Sequence, residues 1–159
     1  MTLRTLALDL TVVRERPCLV ALPKARVRLT AGNVTSPPID AVVDTAAHAL
    51  FARMELAPRL GLDPAALRTS RETRTWTDPD GVAVEGYGAV VTLRLAGEAG
   101  WMRFGETLVY FTETPFGDAD LRLGQAGFLD RVTFTQRGEV GFELVWEGGG
   151  VDAARGAAR

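Results

Sequence analysis

The chain has 159 residues, which suits one domain. Hydrophobic residues make up 47% and acids and bases are mixed to a formal net charge of -2, which excludes a disordered chain and leaves no electrostatic footprint for nucleic acid or an anionic membrane. One cysteine, Cys18, and one histidine, His48, exclude a disulfide framework within the chain and a Cys/His zinc cluster.

The N-terminal run Leu3 to Val13 is apolar and β-branched, but Arg4, Asp9, Arg14, Glu15 and Arg16 interrupt any leader-like core. No stretch approaches the roughly 20 apolar residues that span a bilayer, so a soluble cytoplasmic protein is expected, with no membrane partner. The residues before Lys24 are either a pro-segment or an integral strand, and the run could pair in an interface between subunits. Residues Ala25 to Thr30 alternate with period two, as a half-buried strand does, and Gly32-Asn33 is a turn signal. Pro37-Pro38 leads into Ile39 to Val43, where the continuous apolar Ala41-Val42-Val43 predicts a strand buried on both faces.

Residues 46 to 62 are ambiguous. Ala47, Leu50, Phe51, Met54 and Leu60 have helical spacing, Pro58 breaks any single long helix, and Gly61 has the character of a C-terminal stop. A polar stretch over 68 to 81 closes in Asp78-Pro79-Asp80-Gly81, a turn that can join two strands as a hairpin. Gly86 and Gly88 flank Tyr87 in a strand-like region and mark a bulge or a close approach. Strands are expected over Ala89 to Leu95, Met102 to Phe111, Arg131 to Thr135 and Val140 to Val145. One domain over 1–147 is expected, and the Gly/Ala-rich residues 148–159 are expected to be a disordered tail.

Three segments bear on chemistry. Ala41-Val42-Val43-Asp44-Thr45-Ala46-Ala47 delivers an acid at the end of a buried strand. Leu60-Gly61-Leu62 follows after about fifteen residues, and Leu121-Arg122-Leu123-Gly124 comes much later, before Phe128-Leu129 and the strand at Val132-Thr133-Phe134. Taken by itself, Asp44 could also be the N-cap of a following helix.

In order and spacing these segments resemble the retropepsin-like aspartic proteases, over roughly residues 24 to 145. The resemblance implies a mainly β fold: a closed, barrel-like acid-protease protomer with one or two short helices, near 53–60 and 125–130. It makes Ala47 to Phe51 a strand, against the helical spacing. It implies Asp44 as the catalytic acid, with Thr45, Ala46 and Ala47 as the active-site loop. Leu123 and Gly124 would support that loop, and Trp76, Asp78 and Gly81 would belong to a flap that covers substrate. With a single such Asp in the chain, the site would be shared by a homodimer, each copy giving one Asp44, acting as an endopeptidase on an extended peptide without metal or cofactor. The departure is Ala46, where the family has Gly. It favours the alternative of a catalytically inactive dimerisation or peptide-binding module of the same fold.

Overall fold

The computed structural model describes residues 2–15, 18–77, 81–114, 117–137 and 141–148. The expected tail beyond residue 148 lies outside them. So does the turn Asp78-Pro79-Asp80, and with it one of the expected flap residues, Asp78. Among the described residues no helix is long and apolar enough to cross a membrane.

Strands dominate, as the alternating pattern requires. They are β1 (Thr2–Glu15), β2 (Cys18–Ala31), β3 (Val34–Thr35), β4 (Ile39–Val43), β5 (Leu50–Arg53), β6 (Thr73–Thr77), β7 (Ala83–Gly97), β8 (Gly100–Thr112), β9 (Leu121–Leu123), β10 (Thr133–Arg137) and β11 (Gly141–Gly148). Two short helices, α1 (Leu56–Arg59) and α2 (Pro64–Arg68), follow β5. The pairing order is β10-β11-β1-β2-β4-β9-β5-β8-β7-β6, and β2 also pairs with β7. That extra pairing closes β2, β4, β9, β5, β8 and β7 into a six-stranded barrel. The expected mainly β, closed-barrel architecture with short helices is present.

β2 closes the barrel because it is long enough to change partners. Its residues Lys24 to Val27 pair with β4, and Val27 to Thr30 pair with β7. Val27 and Leu29 point inward and have no exposed surface. The turn predicted at Gly32-Asn33 joins β2 to β3, with Gly32 at φ 54°, a conformation that glycine adopts without steric cost.

β1 is an integral strand of this chain. Its first half, Thr2 to Leu8, pairs with β11, and its second half, Asp9 to Glu15, pairs with β2. β11 also pairs with β10, so the first and last described strands share one sheet.

Two local expectations change. The helical spacing over 47–54 gives way to the strand that the resemblance implied there, placed at Leu50–Arg53 rather than at Ala47 to Phe51. Its Leu50 and Ala52 enter the core while Phe51 turns to the other face, which is strand alternation. The helix expected near 125–130 is only a 3₁₀ turn, Leu129–Arg131. Gly127, at φ 91°, takes a backbone conformation that no α-helix continues through. α2 was not foreseen. Asp63 caps it by accepting a hydrogen bond from the Ala65 N–H at 2.9 Å, and Pro64 fills its first turn.

Candidate active site

The site is built where β4 ends against β9. The two strands run parallel, with Ala41, Val42 and Val43 opposite Leu121, Arg122 and Leu123. Ala41, Val43, Leu121 and Leu123 face the core. Val42 and Arg122 therefore share the outer face. The ladder runs one residue further, because the Asp44 N–H donates to the Leu123 carbonyl at 3.0 Å. Asp44 is thus held by backbone bonding at the rim of the barrel, and it is buried.

Both oxygens of Asp44 are engaged. Oδ1 accepts the Ala46 N–H at 2.9 Å, and Oδ2 accepts from Arg122 Nη1 at 2.5 Å. The methyl of Ala46 does not keep its N–H from the carboxylate. The Arg122–Asp44 ion pair is itself buried, with side chains 10% and 12% exposed.

The loop that follows is clamped from one side by the segment after β9. The Gln125 N–H donates to the Ala47 carbonyl and the Ala126 N–H to the His48 carbonyl, each at 2.9 Å. The Gln125 side-chain amide donates to the Thr45 carbonyl at 2.7 Å. Gly124 sits so close beneath the loop that an added Cβ would overlap the Ala49 carbonyl oxygen and come within 2.6 Å of that of Ala47. Leu123 and Gly124 therefore contact the 44–49 loop directly. On the open side Thr45, Ala46 and His48 are exposed and Ala47 is half-buried.

The outer face continues sideways. Phe51 on β5 is opposite Arg122, and Tyr110 on β8 is opposite Phe51. Trp76, on the β6 arm of the expected flap, lays its ring on Phe51 at 4.3 Å between centroids. Gly86 on β7 leaves room for that indole, since a Cβ there would lie 2.8 Å from it. Gly88 brings its N–H to the Glu72 carbonyl at 2.5 Å. Both glycines are close-approach positions. Through Trp76 the β6–β7 hairpin thus packs against Phe51, the neighbour of Arg122 on β9, and Gly81 lies at φ 80°. In the same hairpin desolvation, then the hydrogen bond to Glu85, pushes the Tyr87 phenol above its ordinary value.

On the other side of Val42 a cavity of about 330 Å³ is lined by Lys24, Asp40, Arg59, Ala119 and Asp120, among others. Asp118 and Asp120 are exposed at its edge. Arg53 ties down that loop by donating to the carbonyls of Ala119 at 3.1 Å and Gly117 at 2.7 Å.

No protein-family model matches the chain, and no curated protein does. Among solved structures it is similar to the crystal structure of a retropepsin-like aspartic protease from Rickettsia conorii. The identity is 16% and the TM-score 0.55, over 93% of this chain and 95% of that one. The chain has the retropepsin-like fold. The likeness extends over nearly the whole of both chains.

Sequence reasoning pointed to Asp44, to its loop and to the Gly124 support. It passed over Arg122, Gln125 and Phe51. For Arg122 a signal was present: a charged residue between two leucines, in a segment short and apolar enough to be a buried strand, needs a partner.

Proposed function

We propose that the protein is an aspartic endopeptidase that works as a homodimer, each copy contributing Asp44. The observation that carries this reading is the presentation of Asp44. It is a buried acid at the end of a core strand, with its loop clamped from below and open above, beside a face on which Trp76 of the β6–β7 hairpin packs against Phe51. Two such carboxylates about 3 Å apart cannot both ionise, so they share one proton. The ionised one takes a proton from a water between them, that water attacks the scissile carbonyl carbon, and the protonated one donates to the carbonyl oxygen. Collapse of the tetrahedral intermediate releases the amine with a proton returned from the dyad. Thr45 and Ala46, exposed in the single chain, are the surface that meets the partner. An extended peptide lies between the dyad and the hairpins, with Trp76 and Gly81 in the arms that cover it. The whole described chain acts as one domain, and metal and cofactor have no part in this mechanism.

A second reading is a dimerisation or peptide-binding module of the same fold without activity. The Arg122 ion pair favours it, because Arg122 takes the Asp44 oxygen on which a partner carboxylate would share a proton.

The deciding experiment is cleavage of a diverse peptide mixture by the wild type and by Asp44→Asn, from about pH 4 to pH 7, the range over which a shared-proton dyad works. Sedimentation of both proteins accompanies it. Cuts made by the wild type and missing with Asp44→Asn are expected. No cuts by either, with both folded and dimeric, select the binding module. Equal cuts by both remove Asp44 from the chemistry, and a monomer at all concentrations removes the shared site.

A further inference from the structure

Arg122 stands where an apolar residue would complete the strand. β9 sends Leu121 and Leu123 into the core and Arg122 to the outer face, beside Val42 and Phe51. Taking a guanidinium out of water is costly, and it is sustained only by a well-placed acid. Here that acid is Asp44, the residue on which the proposed chemistry depends. Phe51, Tyr110 and Trp76 form an apolar wall alongside. A second guanidinium, that of Arg74 on the flap arm, lies 6.0 Å from the centre of the Tyr110 ring. The face therefore joins aromatic rings to the Arg122–Asp44 ion pair at 2.5 Å, with the Arg74 guanidinium to one side.

A guanidinium in such a setting pairs with carboxylates through planar, charge-assisted hydrogen bonds. When two Asp44 side chains meet across a dimer, Arg122 and the partner carboxylate compete for the same Oδ2. A second acid on the face ends that competition. We propose that Arg122 is the specificity-determining residue of the cleft. It takes an aspartate or glutamate side chain of the peptide at a position adjoining the scissile bond, and that exchange releases Asp44 to the dyad. No covalent bond changes in the exchange. The ion pair Arg122–Asp44 becomes Arg122–substrate carboxylate, and the proton that the two Asp44 groups then share comes from solvent. Arg74 adds a longer-range attraction for the same acidic peptides.

This inference rests on the reading of the outer face as a peptide cleft, and its test separates the two. Matched peptides carrying Glu or Gln beside the bond that is cut are compared by kcat/KM for the wild type, Arg122→Lys and Arg122→Gln. The expected preference of the wild type for Glu is about tenfold or more, the worth of one charge-assisted hydrogen bond. Arg122→Lys retains part of the preference, and Arg122→Gln abolishes it. The same peptides are then bound, uncleaved, to Asp44→Asn, in which position 44 no longer offers Arg122 a carboxylate. The Glu peptide is expected to bind about tenfold tighter than the Gln peptide, and the difference to vanish in Asp44→Asn/Arg122→Gln. A Glu/Gln ratio near one in both cleavage and binding overturns the inference. A wild type that cuts nothing, while Asp44→Asn still prefers the Glu peptide, overturns the protease reading and keeps Arg122 as the residue that selects acidic peptides.

Discussion

On the inner side of β4 and β9, Ala41, Val43, Leu121 and Leu123 have essentially no contact with water and pack into the continuous core of the barrel. On the outer side of the same few residues lie Val42 and Arg122, with Asp44 one step beyond. The backbone is shared, and its hydrogen bonds serve both sides. What differs is the demand on the side chains. The inner face asks for volume, which several apolar residues meet equally well. The outer face asks for a charge pair in one geometry, which only these two residues meet. In strands this short, alternation with period two lets adjacent residues separate fold from chemistry.

Variants sharpen that contrast. The largest effect is expected where both faces depend on one atom's absence. Gly124→Ala places a methyl into the Ala47 and Ala49 carbonyls, so a loss of more than about 3 kcal/mol, or failure to fold, is expected in denaturant unfolding. A mild effect would mean that the 44–49 loop is not pressed against Gly124.

Next comes the outer pair. Asp44→Ala leaves Arg122 buried beside a methyl and is expected to lower stability by about 3 kcal/mol. Adding Arg122→Leu is expected to recover part of that loss, because the buried charge that has lost Asp44 is removed with it. Losses that simply add in such a double-mutant cycle would show the two side chains to be energetically independent, and would erase the contrast between the faces.

The smallest effect is expected at Ala46. Its N–H already reaches Asp44 Oδ1, so Ala46→Gly removes no hydrogen bond. It is expected to lower stability by no more than about 1 kcal/mol, through the greater freedom of the unfolded chain. A clear gain in stability would reveal strain at this residue instead. On the proposed function, peptide cleavage is expected to be the same for Ala46→Gly and the wild type, and a large gain in rate would identify the extra methyl as the obstacle.

Much of the site was legible because its pieces are local. Three apolar residues followed by Asp-Thr mark a core strand that ends on an acid, and Leu-Gly-Leu marks the stop of the helix after it. The resemblance implied that the Gly of Leu-Arg-Leu-Gly supports the loop, and the structure shows it pressed against the Ala47 and Ala49 carbonyls. β5 was harder. Its four residues are too few for alternation to outweigh helical spacing, and only pairing with β8 and β9 makes it a strand. The helix that the resemblance implied near 125–130 is cut short, because Gly127 limits the segment to a single 3₁₀ turn.

By itself the sequence determined the strand-rich class, the turns at Gly32 and Gly61 and the acid at the end of β4. Those follow from residue type and short-range spacing, which act wherever the chain goes. Tertiary structure alone decided that β2 closes the barrel by passing from β4 to β7 and that β1 joins β11 to β2. It alone also set Arg122 against Asp44, 78 residues away. A buried charge states that it needs a partner. Which acid meets that need depends on the register of two parallel strands, and no local pattern of residues encodes that register.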